Sequence, residues 1–133
     1  MPQFINLNTA EKNDLILQVS SHLNIAPILV EKDFWVSWLL NKIFKQEISK
    51  DITFKGGTSL SKCFGLISRF SEDLDLTLNR KIFNEGMEDK GLSGKAFERL
   101  LDANDRLASD YVTHTFKPIL ERAIQSDLGE KGW

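Results

Sequence analysis

The sequence predicts an α+β fold, and three patterns along the chain lead to that class. Apolar residues recur at helical spacing before residue 45 and again after residue 95. A short β-branched and aromatic run, ITFK at 52–55, ends in a glycine pair. The leucines of LDLTL at 74–78 alternate with polar residues, as they do in a half-buried strand. Helices are therefore expected to pack around a short mixed sheet.

The first part of the chain is expected to form two helices. Thr9 is predicted as the N-cap of a helix that runs to about Leu23. Pro27 suits the first turn of a second helix, whose apolar stripe reaches Ile43. Trp35 and Trp38 fall in this second helix, and we interpret the pair as packing rather than as a base-stacking platform. Strands are then expected near 52–55 and 73–78.

The second half of the chain is predicted to contain a helix, then a loop, then two further helices. Residues 58–67 place apolar residues on one helical face. Three glycines among charged residues at 84–95 indicate a loop. Ser93 is predicted to cap a long helix, and Pro118 to begin a last one.

Composition excludes several classes of protein. The 133 residues, 41% apolar and 27% charged, suit one folded domain rather than a disordered chain. A net charge of -2 indicates no global cationic surface for nucleic acid. One cysteine, Cys63, and two histidines exclude an internal disulfide and a structural zinc site. Charges interrupt the most apolar window, at 28–44, and the N-terminus does not resemble a secretory signal, so we expect a cytoplasmic protein with no membrane contact.

The segment from Ile52 to Leu78 carries the chemistry. Gly56 and Gly57 allow a sharp turn and a close approach of the backbone to a ligand such as phosphate. Asp73 and Asp75, two apart on a strand, point to the same face and offer the hard oxygen ligands that Mg²⁺ or Mn²⁺ prefers. If the two strands are neighbours, the metal and phosphate sites converge, as nucleotidyl or phosphoryl transfer requires.

Each half of this segment is weak evidence when taken alone. A glycine pair before a helix is more often only a turn, and alternating acids on a strand are usually a solvated face. Cationic side chains near the pair are suited to neutralising a triphosphate, although surface cations need no such role. These cations are Lys55, Lys62 and Arg69.

A resemblance adds a far more specific signal. The stretch VEKDFWVSWLL followed by FKGGTSLSKCFGLISRFSEDLDLTL resembles the nucleotidyltransferase family of AbiEii/AbiGii-type toxins, also called MenT-like toxins, within the DNA-polymerase-β-like superfamily. It covers about residues 28–80, and residues 1–27 and 81–133 add little to it. The resemblance implies a nucleotidyltransferase-like α+β core.

The resemblance also implies roles for individual residues. Asp73 and Asp75 would be the catalytic residues and the ligands of Mg²⁺ or Mn²⁺. Gly56, Gly57 and Thr58 would hold the triphosphate. The residues expected at or near the nucleotide are Lys55, Ser59, Lys62, Arg69 and Ser71.

Members of such a family are toxins of toxin–antitoxin, or abortive infection, systems. The implied function is Mg²⁺-dependent transfer of a nucleotide from a nucleoside triphosphate to an RNA (tRNA) or protein acceptor, with a cognate antitoxin as partner. Related toxins are about twice as long, so residues 1–133 are expected to be a single domain that forms the N-terminal part of such an enzyme. Self-association through an uncovered apolar surface is a further expectation.

Two alternatives stay open at the level of sequence. The chain is either a nucleotidyltransferase or a catalytically incomplete module that binds nucleotide or antitoxin, since no third carboxylate follows on a later strand. A phosphotransferase that moves the γ-phosphate would use the same pocket.

Overall fold

The structure is a computed structural model that describes residues 4–57, 59, 74–82, 91 and 93–130. Over these residues the chain is mostly helical with an antiparallel pair of short strands, which confirms the predicted α+β class. The helices are α1 (Thr9–Leu23), α2 (Pro27–Phe44), α3 (Lys95–Tyr111) and α4 (Lys117–Leu128), and the strands are β1 (Ile52–Lys55) and β2 (Asp75–Leu78). Short 3₁₀ turns occur at Phe4–Asn6, Glu47–Asp51 and Arg80–Ile82.

Helix α1 begins one residue earlier than the sequence predicted. Asn8 is the N-cap, because its side chain accepts a hydrogen bond from the Glu11 backbone N–H at 3.0 Å. Glu11 returns the contact, since its carboxylate accepts from the Asn8 backbone N–H at 2.9 Å. This reciprocal capping box satisfies two helix-end donors. The prediction of Thr9 as the cap is therefore wrong by one residue.

Helix α2 begins at Pro27, as predicted, and carries a row of aromatic rings. The Phe34 and Trp35 rings meet edge to face at 5.2 Å, and the Trp35 and Trp38 rings do so at 5.7 Å. Such T-shaped contacts are the packing geometry that aromatic quadrupoles favour. Trp35 and Trp38 therefore pack against each other along α2.

The hydrophobic core lies where the end of α2, the strand pair and the C-terminal helix meet. Ile43, Ile48 and Ile52 are its buried residues, and Ile43 is only 1% exposed. Partly buried side chains from α2, β2 and the C-terminal helix surround them: Leu39, Leu76, Leu78, Phe116, Ile119 and Leu120. The core therefore fixes the inner face of the strand pair.

The two helices at the C-terminal end of the described chain, α3 and α4, differ from the prediction at one position. Gly94 rather than Ser93 is the N-cap of α3, and it makes no side-chain capping bond. Pro118 lies in the first turn of α4, as predicted, and a π-helical turn at Val112–Phe116 joins α3 to α4. Proline has no N–H and its ring crowds the preceding turn, so a wider turn before Pro118 relieves both problems without ending the helix.

Parts of the prediction lie mostly outside the described residues. Within 58–67, the structure describes only Ser59, which is helical like Gly56 and Gly57 before it. Within the predicted loop at 84–95, it describes residue 91 and residues 93–95.

Candidate active site

The two strands pair so that the glycine turn and an acidic residue meet at one end of the ladder. Strand β1 runs antiparallel to β2, and Lys55, the last residue of β1, lies opposite Asp75, the first residue of β2. Gly56 follows β1 directly. The strand that carries Asp75 is therefore the neighbour of the strand that leads into the glycine pair. This is the arrangement on which convergence of the two predicted half-sites depends.

Alternation along both strands separates a solvent face from a core face. Thr53 and Lys55 of β1 are exposed, and so are Asp75 and Thr77 of β2. Their neighbours along each strand are buried or half-buried. Because successive side chains of a strand point to opposite faces, the lysine and the aspartate share the exposed face with two threonines. The acidic and basic groups are therefore accessible to a solute.

The Asp75 carboxylate lies directly against the backbone of Gly56. A Cβ atom placed on Gly56 would overlap Asp75 Oδ2, and it would lie 2.9 Å from Asp75 Cγ and 3.1 Å from Asp75 Cβ. Gly56 also has φ +76, a conformation that side-chain-bearing residues rarely adopt. Only glycine satisfies both conditions at this corner. We call the group formed by Lys55, Gly56, Gly57 and Asp75 the glycine–carboxylate corner.

The remaining predicted site residues divide into two groups. Ser59 is buried, at 7% exposure. Among the described residues, no buried side-chain nitrogen or oxygen lacks a hydrogen-bond partner. The other predicted residues lie outside the described residues: Thr58, Lys62, Arg69, Ser71 and Asp73.

The donor chemistry of the corner fits a hard divalent cation. Asp75 is exposed, and its carboxylate lies against the backbone of Gly56, which has no side chain between them. Carboxylate oxygens are the ligands that Mg²⁺ and Mn²⁺ prefer. Within the described residues, no three side chains of the His, Cys, Asp or Glu types come close enough to form a metal cluster. Of the two aspartates that the sequence predicts as metal ligands, Asp75 is the one within the described residues.

A hydrogen bond joins Asp51, the residue before β1, to Tyr111, the last residue of α3. The Tyr111 hydroxyl donates to Asp51 Oδ2 at 3.2 Å, and the Asp51 carbonyl accepts from the Asn79 backbone N–H at 2.7 Å. Burial, followed by the hydrogen bond and the negative charge of Asp51, raises the pKa of Tyr111 above its ordinary value. Sequence reasoning missed this contact, because it joins residues 60 positions apart with no local pattern.

Comparison with known protein families identifies the family. The family model for the nucleotidyl transferase AbiEii toxin of type IV toxin–antitoxin systems matches residues 38–131, which is more than half of the 133 residues. The chain belongs to the AbiEii family. No curated protein and no solved structure matches it.

The family match differs in extent from the resemblance found in the sequence. It begins at Trp38, so the VEKDFW motif precedes it, and it extends through α3 and α4 to residue 131. The prediction that residues 81–133 add little to the family signal is therefore wrong. In this AbiEii-family chain the matched range includes α3 and α4 as well as the glycine–carboxylate corner.

Membership in the AbiEii family carries general consequences for partners. The family consists of nucleotidyl transferase toxins of toxin–antitoxin systems, so a nucleotide substrate and an antitoxin belong to its biology. Within the described part of the chain, each helix is too short or too polar to cross a lipid bilayer.

Proposed function

We propose that this AbiEii-family chain binds a nucleoside triphosphate with Mg²⁺ at the glycine–carboxylate corner and transfers its nucleotide to an RNA acceptor such as tRNA. A protein is the alternative acceptor. The observation that carries the proposal is the contact between the Asp75 carboxylate and the Gly56 backbone at the paired ends of β1 and β2. This contact brings a carboxylate and a backbone turn together in one exposed place.

The roles follow from the chemistry of each group. The backbone N–H groups at the glycine turn bind phosphate oxygens, since no side chain at Gly56 or Gly57 blocks their approach. Asp75, together with Asp73, holds Mg²⁺, with Mn²⁺ as the alternative cation. Lys55, opposite Asp75, places an ammonium group where it offsets triphosphate charge.

The reaction is a displacement at the α-phosphorus of the nucleoside triphosphate. The acceptor hydroxyl loses its proton to solvent as its oxygen forms the new bond to the α-phosphorus, the bond from that phosphorus to the α–β bridging oxygen breaks, and pyrophosphate leaves. When bound, Mg²⁺ would stabilise charge on the phosphate oxygens. The chain's contribution is to position the triphosphate against the glycine turn, to offset part of its charge with Lys55, and to provide the aspartates that would hold Mg²⁺ beside it.

The test is calorimetric titration of the purified chain with each of the four nucleoside triphosphates, with and without Mg²⁺. We expect Mg²⁺-dependent binding that Asp75→Asn weakens at least tenfold. Thr77→Ala, an exposed change on the same face of the same strand, is the matched control and is expected to bind as the unaltered chain does. Binding that is insensitive to Asp75→Asn would reject the proposal.

A transfer assay separates the reaction classes. Transfer of label from the α-phosphate of the triphosphate to tRNA supports nucleotidyl transfer, whereas transfer from the γ-phosphate would indicate a phosphotransferase. Metal-dependent binding without either transfer would identify this chain as a nucleotide-binding module.

A further inference from the structure

A cavity lies away from the glycine–carboxylate corner. It has a volume of about 530 Å³ and opens between the turn Phe4–Asn6, helix α2 and the end of α4. None of the described residues that line it belongs to the corner. Ligand pockets typically measure ~300–1,000 Å³ and combine apolar walls with a few polar groups. The cavity has the size and the mixed lining of a small-ligand site.

Helix α2 and its C-cap residue, Lys45, present a polar row to this cavity. Ser37, Asn41 and Lys45 line it at four-residue intervals, and all are exposed. Residues four apart lie on the same helix face, about 6 Å from each other along the axis. A hydroxyl, an amide and an ammonium group therefore follow one another over about 12 Å. The amide both donates and accepts hydrogen bonds, as a nucleobase edge requires.

Aromatic rings form the other wall of the cavity. Phe34 and Trp38 line it from α2, and Phe4 packs on Phe34 with ring centroids 4.2 Å apart. Asp127 of α4 accepts hydrogen bonds from both Trp38 and Lys42, so the indole is held in place. Flat apolar rings fixed in this way suit a planar heterocycle.

The charges of the cavity favour an anionic ligand. Lys42 Nζ lies 2.5 Å from Asp127 Oδ2, so these two charges neutralise each other. Lys45 adds a further cation to the lining, which leaves the described lining with a net charge of +1. Lys45 is exposed at the opposite end of the polar row from Ser37, where an ammonium group meets a phosphate without burying its charge.

We infer that this cavity binds a nucleotide unit, with the base against the aromatic wall and near Asn41, and with the phosphate at Lys45. The unit comes either from a free nucleoside monophosphate or from single-stranded RNA, which share this chemistry. The inference does not depend on nucleotide transfer at the glycine–carboxylate corner.

The experiment uses the full chain without Mg²⁺, so that metal-dependent binding at the corner does not contribute. Adenosine 5′-monophosphate and a hexamer of adenylate are titrated separately by calorimetry, and ribose 5-phosphate tests the need for a base. The variants are Asn41→Ala and Lys45→Ala, with Lys50→Ala as an exposed lysine outside the cavity and Asp75→Asn as the change at the corner. Circular dichroism checks that each variant is folded.

We expect Asn41→Ala and Lys45→Ala each to weaken binding at least fivefold, while Lys50→Ala and Asp75→Asn leave it unchanged. Binding of the monophosphate supports a free nucleotide as ligand, and binding of the hexamer alone supports RNA. Absence of binding to both probes, binding that both cavity variants leave unchanged, or loss of binding in Asp75→Asn would overturn the inference. Equal affinity for ribose 5-phosphate would also overturn it, because the aromatic wall would then have no base to contact.

Discussion

The carboxylate of Asp75 occupies the space that a side chain on Gly56 would need. Asp75 Cγ lies 2.9 Å from the position of such a Cβ atom, and residue 56 has φ +76. Backbone conformation and close packing thus require glycine independently of each other. Since Asp75 begins β2 and Gly56 follows β1, the pairing of the strands creates this contact.

Replacing Gly56 by alanine is expected to displace the Asp75 carboxylate. The new methyl group forces the aspartate side chain away from the turn, so Mg²⁺-dependent triphosphate binding falls at least tenfold. The positive φ adds a folding cost of about 1 kcal/mol. Calorimetric titration and urea unfolding measure the two effects separately.

Gly129→Ala is the matched control for this change. Gly129 has φ +75, nearly the same as Gly56, but a Cβ there meets nothing within 4 Å. It is expected to lower stability by about 1 kcal/mol and to leave triphosphate binding intact. Equal binding by Gly56→Ala and the unaltered chain would show that the glycine–carboxylate corner is not the binding site.

Sequence reasoning succeeded where local patterns determine the structure. The alternation around Leu76 identified the buried face of β2, and the run before Gly56 identified β1 with its bounds. It predicted that the glycine turn and Asp75 would meet only on the condition that the two strands pair, because strand pairing is a long-range contact. The cavity beside Phe34 and Trp38 was not predicted, since its lining comes from three distant segments that include Phe4 and Asp127.

Tyr111 is expected to titrate at a higher pH than a free tyrosine. The pKa of Tyr111 is raised by burial and by the Asp51 carboxylate that accepts its hydrogen bond. It is the single tyrosine of the chain, so the phenolate absorbance reports this group alone. Asp51→Asn removes the negative charge and is expected to lower the midpoint. Asp102→Asn, nine residues away on α3 and about 13 Å along its axis, is expected to leave the midpoint unchanged.

The same group makes stability depend on alkaline pH. Because the folded-state pKa of Tyr111 is raised, the folded chain holds the phenolic proton where the unfolded chain releases it. This contribution is complete below the unfolded pKa of about 10 and is lost as the pH rises through the folded pKa. The free energy of unfolding of Tyr111→Phe is expected to lack this alkaline pH dependence. At neutral pH the substitution should lower the free energy of unfolding by about 1 kcal/mol, because the hydrogen bond is lost. An identical alkaline profile for both proteins would contradict the assignment.

The ion pair between α2 and α4 is expected to stabilise the fold at neutral pH and not in acid. The hydrogen bond from Lys42 holds the pKa of Asp127 below its ordinary value, with further support from the Lys42 charge, Ser126 and Trp38. The contribution of the ion pair to the free energy of unfolding is therefore present above the unfolded-state pKa of about 3.9 and is lost as the pH falls through the folded-state pKa.

Urea unfolding of Asp127→Asn measures this contribution. We expect the variant to be less stable by on the order of 1 kcal/mol at pH 7, because both side chains of the pair are about one-fifth exposed and partly screened. The difference should shrink as the pH falls below the folded pKa. Glu121→Gln is the control, since its pair with Lys117 is more exposed and spans 3.8 Å. A difference that persists in strong acid would mean that the asparagine acts through packing.

Ile43 is expected to be the most costly single truncation among the core residues that support the strand pair. It is 1% exposed and packs with Ile48 and Ile52, the latter being the first residue of β1. Ile43→Ala removes buried methyl groups and leaves a cavity, which typically costs about 2–5 kcal/mol. Leu17→Ala, at a position 55% exposed on α1, should cost under about 0.5 kcal/mol in the same urea measurement. Gly56 follows β1, and the pairing of β1 with β2 brings it to Asp75. Ile43→Ala should therefore also weaken triphosphate binding at temperatures where the variant begins to unfold, while binding by the folded fraction stays intact. Weakened binding in a fully folded variant would show that Ile43 sets the geometry of the corner directly.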